Sequence, residues 1–139
     1  MTTAVVVVSH SKALAEGVKE LALQMARSNT SVWAVGGTDD GGIGTSAVAI
    51  HDALVDALAA ANEAVVLMDL GSAHLNTVMA IEMLDEDLRP RVSMADAPLV
   101  EGAVLAVVSA ASGDNAQEVR ARAEEAREMR KLIYGGINA

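Results

Sequence analysis

Ala4-Val5-Val6-Val7-Val8-Ser9-His10-Ser11-Lys12 is the stretch that decides the fold. Its four consecutive valines fit a parallel strand buried on both faces, because β-branched side chains suit a pleat covered from either side. The polar triplet Ser9-His10-Ser11 ends that strand. An amphipathic run to Arg27 follows, with Ser11 as its N-cap and Leu14, Val18, Leu21 and Met25 at the spacing of one helical stripe. His10 therefore falls where the carboxyl end of a strand meets the amino end of a helix. In an open α/β sheet this edge binds ligands, and the free N–H groups of a helix terminus attract an anion. A histidine at that junction is a candidate to carry a phosphoryl group.

Working outward, Ser28-Asn29-Thr30-Ser31 reads as a turn and Val32 to Val35 as a short second strand. The run Gly36-Gly37-Thr38-Asp39-Asp40-Gly41-Gly42-Ile43-Gly44 is a loop of special backbone geometry. Thr45 or Ser46 then caps a helix with Ala47, Ile50, Leu54 and Leu58 on one face and Asp52 and Asp56 on the other. Ala64 to Met68 is a third buried strand ending in Asp69-Leu70-Gly71-Ser72-Ala73, before a helix from about His74 to Leu84. That helix is apolar around most of its circumference, so cover on more than one side is expected. Arg91 to Ala95 is a fourth, weaker strand. Pro98 to Ala111 is a nearly wholly apolar helix with Pro in its first turn, which must be central or face another subunit. Asp114 and Gln117 resemble a capping box for a charged surface helix reaching Lys131, with Val119, Ala123 and Ala126 as its thin apolar stripe.

Strands alternating with helices imply right-handed crossovers and an open α/β fold. Three layers are expected: a mainly parallel sheet of order 2-1-3-4 with helices on both faces. One domain over residues 1–134 is expected, with 135–139 a frayed tail.

Hydrophobic residues make up 52% of the 139, yet there is no Phe, one Trp and one Tyr. The core must be Val, Leu, Ile, Ala and Met, with close helix packing through alanines. The net charge of -9 argues against nucleic acid and favours basic protein partners. The absence of Cys removes disulfides, thiolate nucleophiles and Cys-ligated metals, and is compatible with a cytoplasmic protein. No signal peptide is evident, and no apolar run approaches the roughly 20 residues needed to span a bilayer. The three His offer no metal-ligand spacing, so no metal is expected.

The 2-1-3-4 order brings the loops after the first three strands to one edge. Asp69 there either accepts the Nδ1 proton of His10, leaving Nε2 free, or merely caps the next helix. Ser72 and the N–H groups of Gly71 and Ser72 are candidates for phosphoryl oxygens, with Ser11, Gly44, Thr45 and Ser46 the remaining residues presented to the site. His51 and His74 read as ordinary helix residues. Gly42-Ile43-Gly44-Thr45-Ser46-Ala47 matches G-x-G-x-x-G/A, but it does not follow the first strand, and Asp39 and Asp40 would lie near a pyrophosphate.

Taken together, Val8-Ser9-His10-Ser11, Gly17-Val18-Lys19-Glu20-Leu21-Ala22, Gly37-Thr38-Asp39-Asp40 through Gly42-Ile43-Gly44-Thr45, Met68-Asp69-Leu70-Gly71-Ser72-Ala73, Ala97-Pro98-Leu99-Val100-Glu101-Gly102 and Val108-Ser109-Ala110-Ala111-Ser112-Gly113 resemble the phosphocarrier subunits of phosphotransferase-dependent dihydroxyacetone kinases. Those subunits belong with the mannose-type IIA domains of the bacterial sugar phosphotransferase system. The resemblance implies a relay in which phosphoenolpyruvate phosphorylates Enzyme I, then HPr, then the histidine matching His10. From there the group passes to ADP on a partner subunit, and the resulting ATP phosphorylates dihydroxyacetone on another. It implies Asp69 as the partner of His10, Ser72 in the phosphoryl pocket, no cofactor or small-molecule pocket of the chain's own, and a homodimer for which Pro98 to Ala111 is the candidate interface. Some relatives continue into HPr-like and Enzyme I-like domains, so separate donor proteins are expected here. The alternatives are a mannose-type permease IIA component, whose relatives usually carry a longer Trp-containing loop after the aspartate, and a nucleotide-binding regulatory module.

Overall fold

A computed structural model describes residues 2–26 and 31–132. Arg27, the expected turn at Ser28-Asn29-Thr30, Tyr134 and the tail at 135–139 lie outside the described residues. Strands β1 (Thr3–Ser9), β2 (Val32–Gly36), β3 (Glu63–Met68) and β4 (Val92–Met94) form one parallel sheet of order β2-β1-β3-β4. The helices are α1 (Lys12–Ala26), α2 (Ala47–Ala60), α3 (Gly71–Glu82), α4 (Leu99–Ala111) and α5 (Ala116–Glu124). This is the expected three-layer arrangement.

Every residue of β1 is buried. Val5 and Val7, with Val65 and Leu67 of β3, pack under α1, α4 and α5; Ala4, Val6 and Val8, with Ala64 and Val66, pack under α2 and α3. Each fully buried valine contributes roughly 1.5–3 kcal/mol relative to an exposed one, so the central strand is firmly seated. In register, Val8 lies beside Met68 of β3. The chain leaves β1 toward the face of α1 and leaves β3 toward the face of α3. Their loops diverge and open a crevice between the two strand ends, the position where α/β sheets bind ligands.

Several helices differ from the sequence expectation in which side they bury. In α1 the buried residues are Ala15, Val18 and Ala22, whereas Leu14, Leu21 and Met25 are exposed by 43–58%. The cause is close packing: α1 lies against α4, which presents Gly102, Ala103, Ala106 and Ala110 on its buried side, and small residues allow that approach. A Cβ on Gly102 would come within 2.9 Å of Leu67 and Ala97. α4 is thus the central helix of its layer, covered by α1 and α5, and this chain itself buries most of the surface suggested for a dimer. Conversely, α3 buries only Ala73, Thr77 and Ala80 and leaves Leu75, Met79 and Met83 beside it exposed, so the cover expected on its second side is not supplied among the described residues.

The ends of elements also shift. α3 begins at Gly71 rather than near His74, which places Ser72 in its first turn. Pro98 is the N-cap of α4 rather than part of its first turn. The capping box of α5 is Asn115 with Glu118, one residue beyond the expected pair, because Asp114 instead accepts the Ser109 hydroxyl at 2.6 Å. α5 stops at Glu124 and tightens into a 3-10 turn, Glu125–Glu128, rather than continuing to Lys131. Three residues per turn place Ala126 directly after Ala123, and both are buried.

Candidate functional site

Ser9 ends β1 with its side chain buried. Its hydroxyl accepts the Ser11 N–H at 3.0 Å and donates to Asp69 Oδ2 at 2.9 Å, so the turn carrying His10 is tied to the end of β3. Ser11 accepts the Leu14 N–H at 3.2 Å, as an N-cap of α1 does. Gly36, at the end of β2, lies against the same turn. A Cβ there would be 2.7 Å from the Ser11 carbonyl oxygen and 2.8 Å from that of Ser9, so only glycine allows this approach.

Asp69 is saturated with donors. Its Oδ1 receives His10 Nδ1 at 2.8 Å and the Leu70 N–H at 2.7 Å; its Oδ2 receives the His10 N–H at 3.0 Å and the Ser9 hydroxyl. Partial burial works to raise the Asp69 pKa, but the backbone and ring of His10, the Ser9 hydroxyl and the Leu70 N–H outweigh it and hold the carboxyl below its ordinary value. An ionised carboxylate has only acceptors, so Nδ1 carries the proton and the lone pair of the neutral ring is on Nε2. That nitrogen faces the Ser72 hydroxyl at 2.5 Å. The ring is 18% exposed and the Asp69 side chain 12%, which shields their pairing while the edge beside exposed Ser72 stays open.

The arrangement equips Nε2 as a nucleophile and Asp69 to balance the positive charge the ring acquires on substitution. Among the described residues no side chain caps α3; the Ala73 N–H is bound to the Leu70 carbonyl, and the N–H groups of Gly71 and Ser72 are open to an anion beside Nε2.

Not all the sequence candidates meet the ring. Gly44 donates its N–H to the His10 carbonyl at 2.8 Å, so it supports the backbone of the turn. Thr45 is held by Asn76, whose Nδ2 lies 2.5 Å from the threonine hydroxyl oxygen. Ser46 caps α2 by accepting the Ala49 N–H at 3.2 Å. Among the described residues, neither Ser11 nor Ser46 hydrogen bonds to the imidazole. His51 pairs with Asp52 at 3.0 Å on α2, away from the strand ends.

His74 instead lines a cleft of about 460 Å³ on the other side of Asp69, with Met68, Met94 and Arg120 among its walls. A chain expected to lack a small-molecule pocket therefore has an open cleft next to its carboxylate. Among the described residues no three His, Cys, Asp or Glu side chains are grouped to hold a metal. The residues that sequence reading missed are Ser9, as a holder of Asp69, and Asn76. The spacing of Ser72 and Asn76, one turn apart on one face of α3, was the available signal for Asn76.

Known proteins resemble the chain along most of its length. Residues 4–120 match the EIIA-man family model, described as the PTS system fructose IIA component. The chain is 42% identical over 133 residues, 94% of its length, to the phosphoryl donor subunit DhaM of the PEP-dependent dihydroxyacetone kinase of Escherichia coli K12, and spans only 28% of that relative. It is 34% identical over 128 residues to the DhaM phosphotransferase subunit of the PTS-dependent dihydroxyacetone kinase of Lactococcus lactis, covering 90% of this chain and 96% of that one. A solved structure of a protein of unknown function, EF1359, superposes with a TM-score of 0.83 at 34% identity, covering 95% of this chain and 99% of the other.

Proposed function

We propose, from the premise that the chain belongs to the EIIA-man family, that it is a phosphohistidine carrier serving a dihydroxyacetone kinase. The single observation that supports this most is the His10 Nδ1 to Asp69 Oδ1 bond of 2.8 Å, which leaves Nε2 as the nucleophile. In the first step, the Nε2 lone pair attacks the phosphorus of a phosphorylated HPr. The donor P–N bond breaks, its electron pair returns to the donor imidazole, and the His10 ring, still protonated at Nδ1, becomes cationic beside Asp69. In the second step, a terminal phosphate oxygen of ADP on the partner subunit attacks the same phosphorus. The P–Nε2 bond breaks, ATP forms and His10 is neutral again. That ATP phosphorylates dihydroxyacetone on a further subunit. The carrier needs no cofactor of its own in this scheme.

Ile43, Leu70 and Leu75 are exposed apolar residues flanking these loops, a surface suited to transient docking of proteins. No described helix is long and apolar enough to cross a membrane. A nucleotide-binding turn at Gly42 to Ala47 is disfavoured, because the Gly42 N–H already serves Thr38 and Asp40 and the Gly44 N–H serves His10. A homodimer belongs to the reading. Leu75 and Met79 of α3, with Met83 at its C-cap, leave more apolar surface for it than Val100 and Val108 of α4.

The test is incubation with phosphoenolpyruvate, Enzyme I and HPr, followed by intact mass and peptide mapping under alkaline conditions that preserve phosphohistidine. Phosphate on His10 that is lost to the ADP-loaded kinase subunit, and not to a permease IIB protein, is the expected result. Loss to IIB alone would turn the assignment to sugar transport, and phosphate on His51 or His74 would reject the site.

A further inference from the structure

The geometry points to Asn76 as a positioning residue that fixes the glycine loop relative to His10 and aims the Thr45 hydroxyl at a phosphoryl group. The phosphoryl part of this inference rests on the carrier reading above; the loop-fixing part does not.

Asn76 Nδ2 lies 2.5 Å from Thr45 Oγ1 and 3.4 Å from the Thr45 carbonyl oxygen. A carbonyl only accepts, so the amide must turn its NH2 group toward Thr45 and donate to the hydroxyl oxygen. Thr45 is then an acceptor toward Asn76, and its own hydroxyl proton is left over. Among the described residues it is donated to no other group. A hydroxyl so arranged is a donor awaiting an acceptor with spare lone pairs, which a phosphoryl oxygen supplies.

The second half of the argument is where Asn76 sits. Ser72 and Asn76 are four residues apart on α3 and share one face of it. Ser72 meets His10 Nε2, and Asn76 meets the residue immediately after Gly44, whose N–H is bound to the His10 carbonyl. One helix face thus gauges the distance between the imidazole and the loop. The loop has internal bonds of its own through Thr38, Asp40 and Gly42, and it is fixed at two outside points, the His10 carbonyl through Gly44 and α3 through Asn76.

The test compares Asn76→Ala, Asn76→Asp, Thr45→Val and the Asn76→Ala/Thr45→Val double variant. In unphosphorylated protein, Asn76→Ala should speed hydrogen exchange of the Gly44 amide about 10-fold while amides of β1 and α2 keep their protection. Phosphoryl transfer from HPr should fall roughly 10- to 100-fold in Asn76→Ala, as expected when a donor is misplaced. Asn76→Asp, similar in size but unable to donate, should fall as far. The double variant should be no slower than Thr45→Val alone, because the asparagine acts through the threonine. Unchanged Gly44 exchange in Asn76→Ala, or losses that multiply in the double variant, would overturn the inference. If the wild-type chain accepts no phosphate on His10, the carrier reading fails, and Gly44 exchange alone still decides the role of Asn76.

Discussion

The Ser72 hydroxyl lies 2.5 Å from Nε2 of His10, on the first turn of α3, so the ring nitrogen that carries the lone pair faces both a hydroxyl donor and an open helix terminus. A group added to Nε2 enters the place where Ser72 now donates, and the same donor becomes available to it. Replacing Ser72 by Ala keeps the backbone N–H groups and removes only the hydroxyl. Transfer to His10 is expected to slow about 10-fold, less than the loss of a whole oxyanion site. Stopped-flow transfer from phosphorylated HPr measures it, and an unchanged rate would show that Ser72 does not act on the phosphoryl group.

Asp69→Asn substitutes an NH2 group for one of two oxygens that each receive two donors. At least one of those donors then meets another donor, and the ring loses its counter-charge. Phosphorylation of His10 should fall on the order of 100-fold. Nitrogen NMR of the labelled ring reads the cause directly: protonation at Nδ1 and a bare Nε2 in the wild type, and a mixture of tautomers in the variant.

The same carboxylate sets a pH dependence of stability. Its folded-state pKa is depressed, so it contributes stability that is complete above its unfolded pKa of about 4 and is lost as pH falls through the folded value. Urea unfolding of the wild type and Asp69→Asn between pH 7 and pH 3 should show a constant difference down to about pH 4 that narrows below it. A difference that narrows near pH 6 would place the linkage on another group.

Gly36→Ala and Gly41→Ala separate two reasons for glycine. At Gly36 the new Cβ would press on the Ser9 and Ser11 carbonyls, so the His10 turn must shift; at Gly41 the space is open and only the positive φ of 86° is strained. Both are expected to cost about 1–2 kcal/mol in urea unfolding. Only Gly36→Ala should also slow phosphorylation of His10. Equal kinetics would mean that the turn absorbs the contact.

Leu75 and Met79 are exposed by 67% and 53% on α3. If a second copy covers them, the Leu75→Ser/Met79→Ser variant should shift sedimentation from dimer to monomer at micromolar concentration while keeping its circular dichroism. A variant that remains dimeric would place the contact elsewhere.

Much of this was legible from local pattern. Four valines, a polar triplet and alternating helical runs carry the parallel sheet and its order, because burial on both faces and crossover handedness leave few topologies. The same topology placed His10 and Asp69 at neighbouring strand ends. Local pattern misread most of α1: of the expected stripe Leu14, Val18, Leu21 and Met25 only Val18 is buried, together with Ala15 and Ala22. Which stripe a helix buries depends on how closely its neighbour approaches, and that distance is a property of the pair.

The sequence by itself therefore determined the sheet, its order, and the placement of His10 and Asp69 at neighbouring strand ends, since these follow from periodicity and chain connection; whether Asp69 pairs with the ring or caps α3 it left open. Only the tertiary structure decided which nitrogen of His10 is free, that Ser9 helps to hold Asp69, and that Asn76 braces Thr45. Those depend on the geometry of hydrogen bonds between segments as far as 60 residues apart in the chain, as for Ser9 and Asp69. An ångström separates a bond from none there, a precision that no spacing along the sequence encodes.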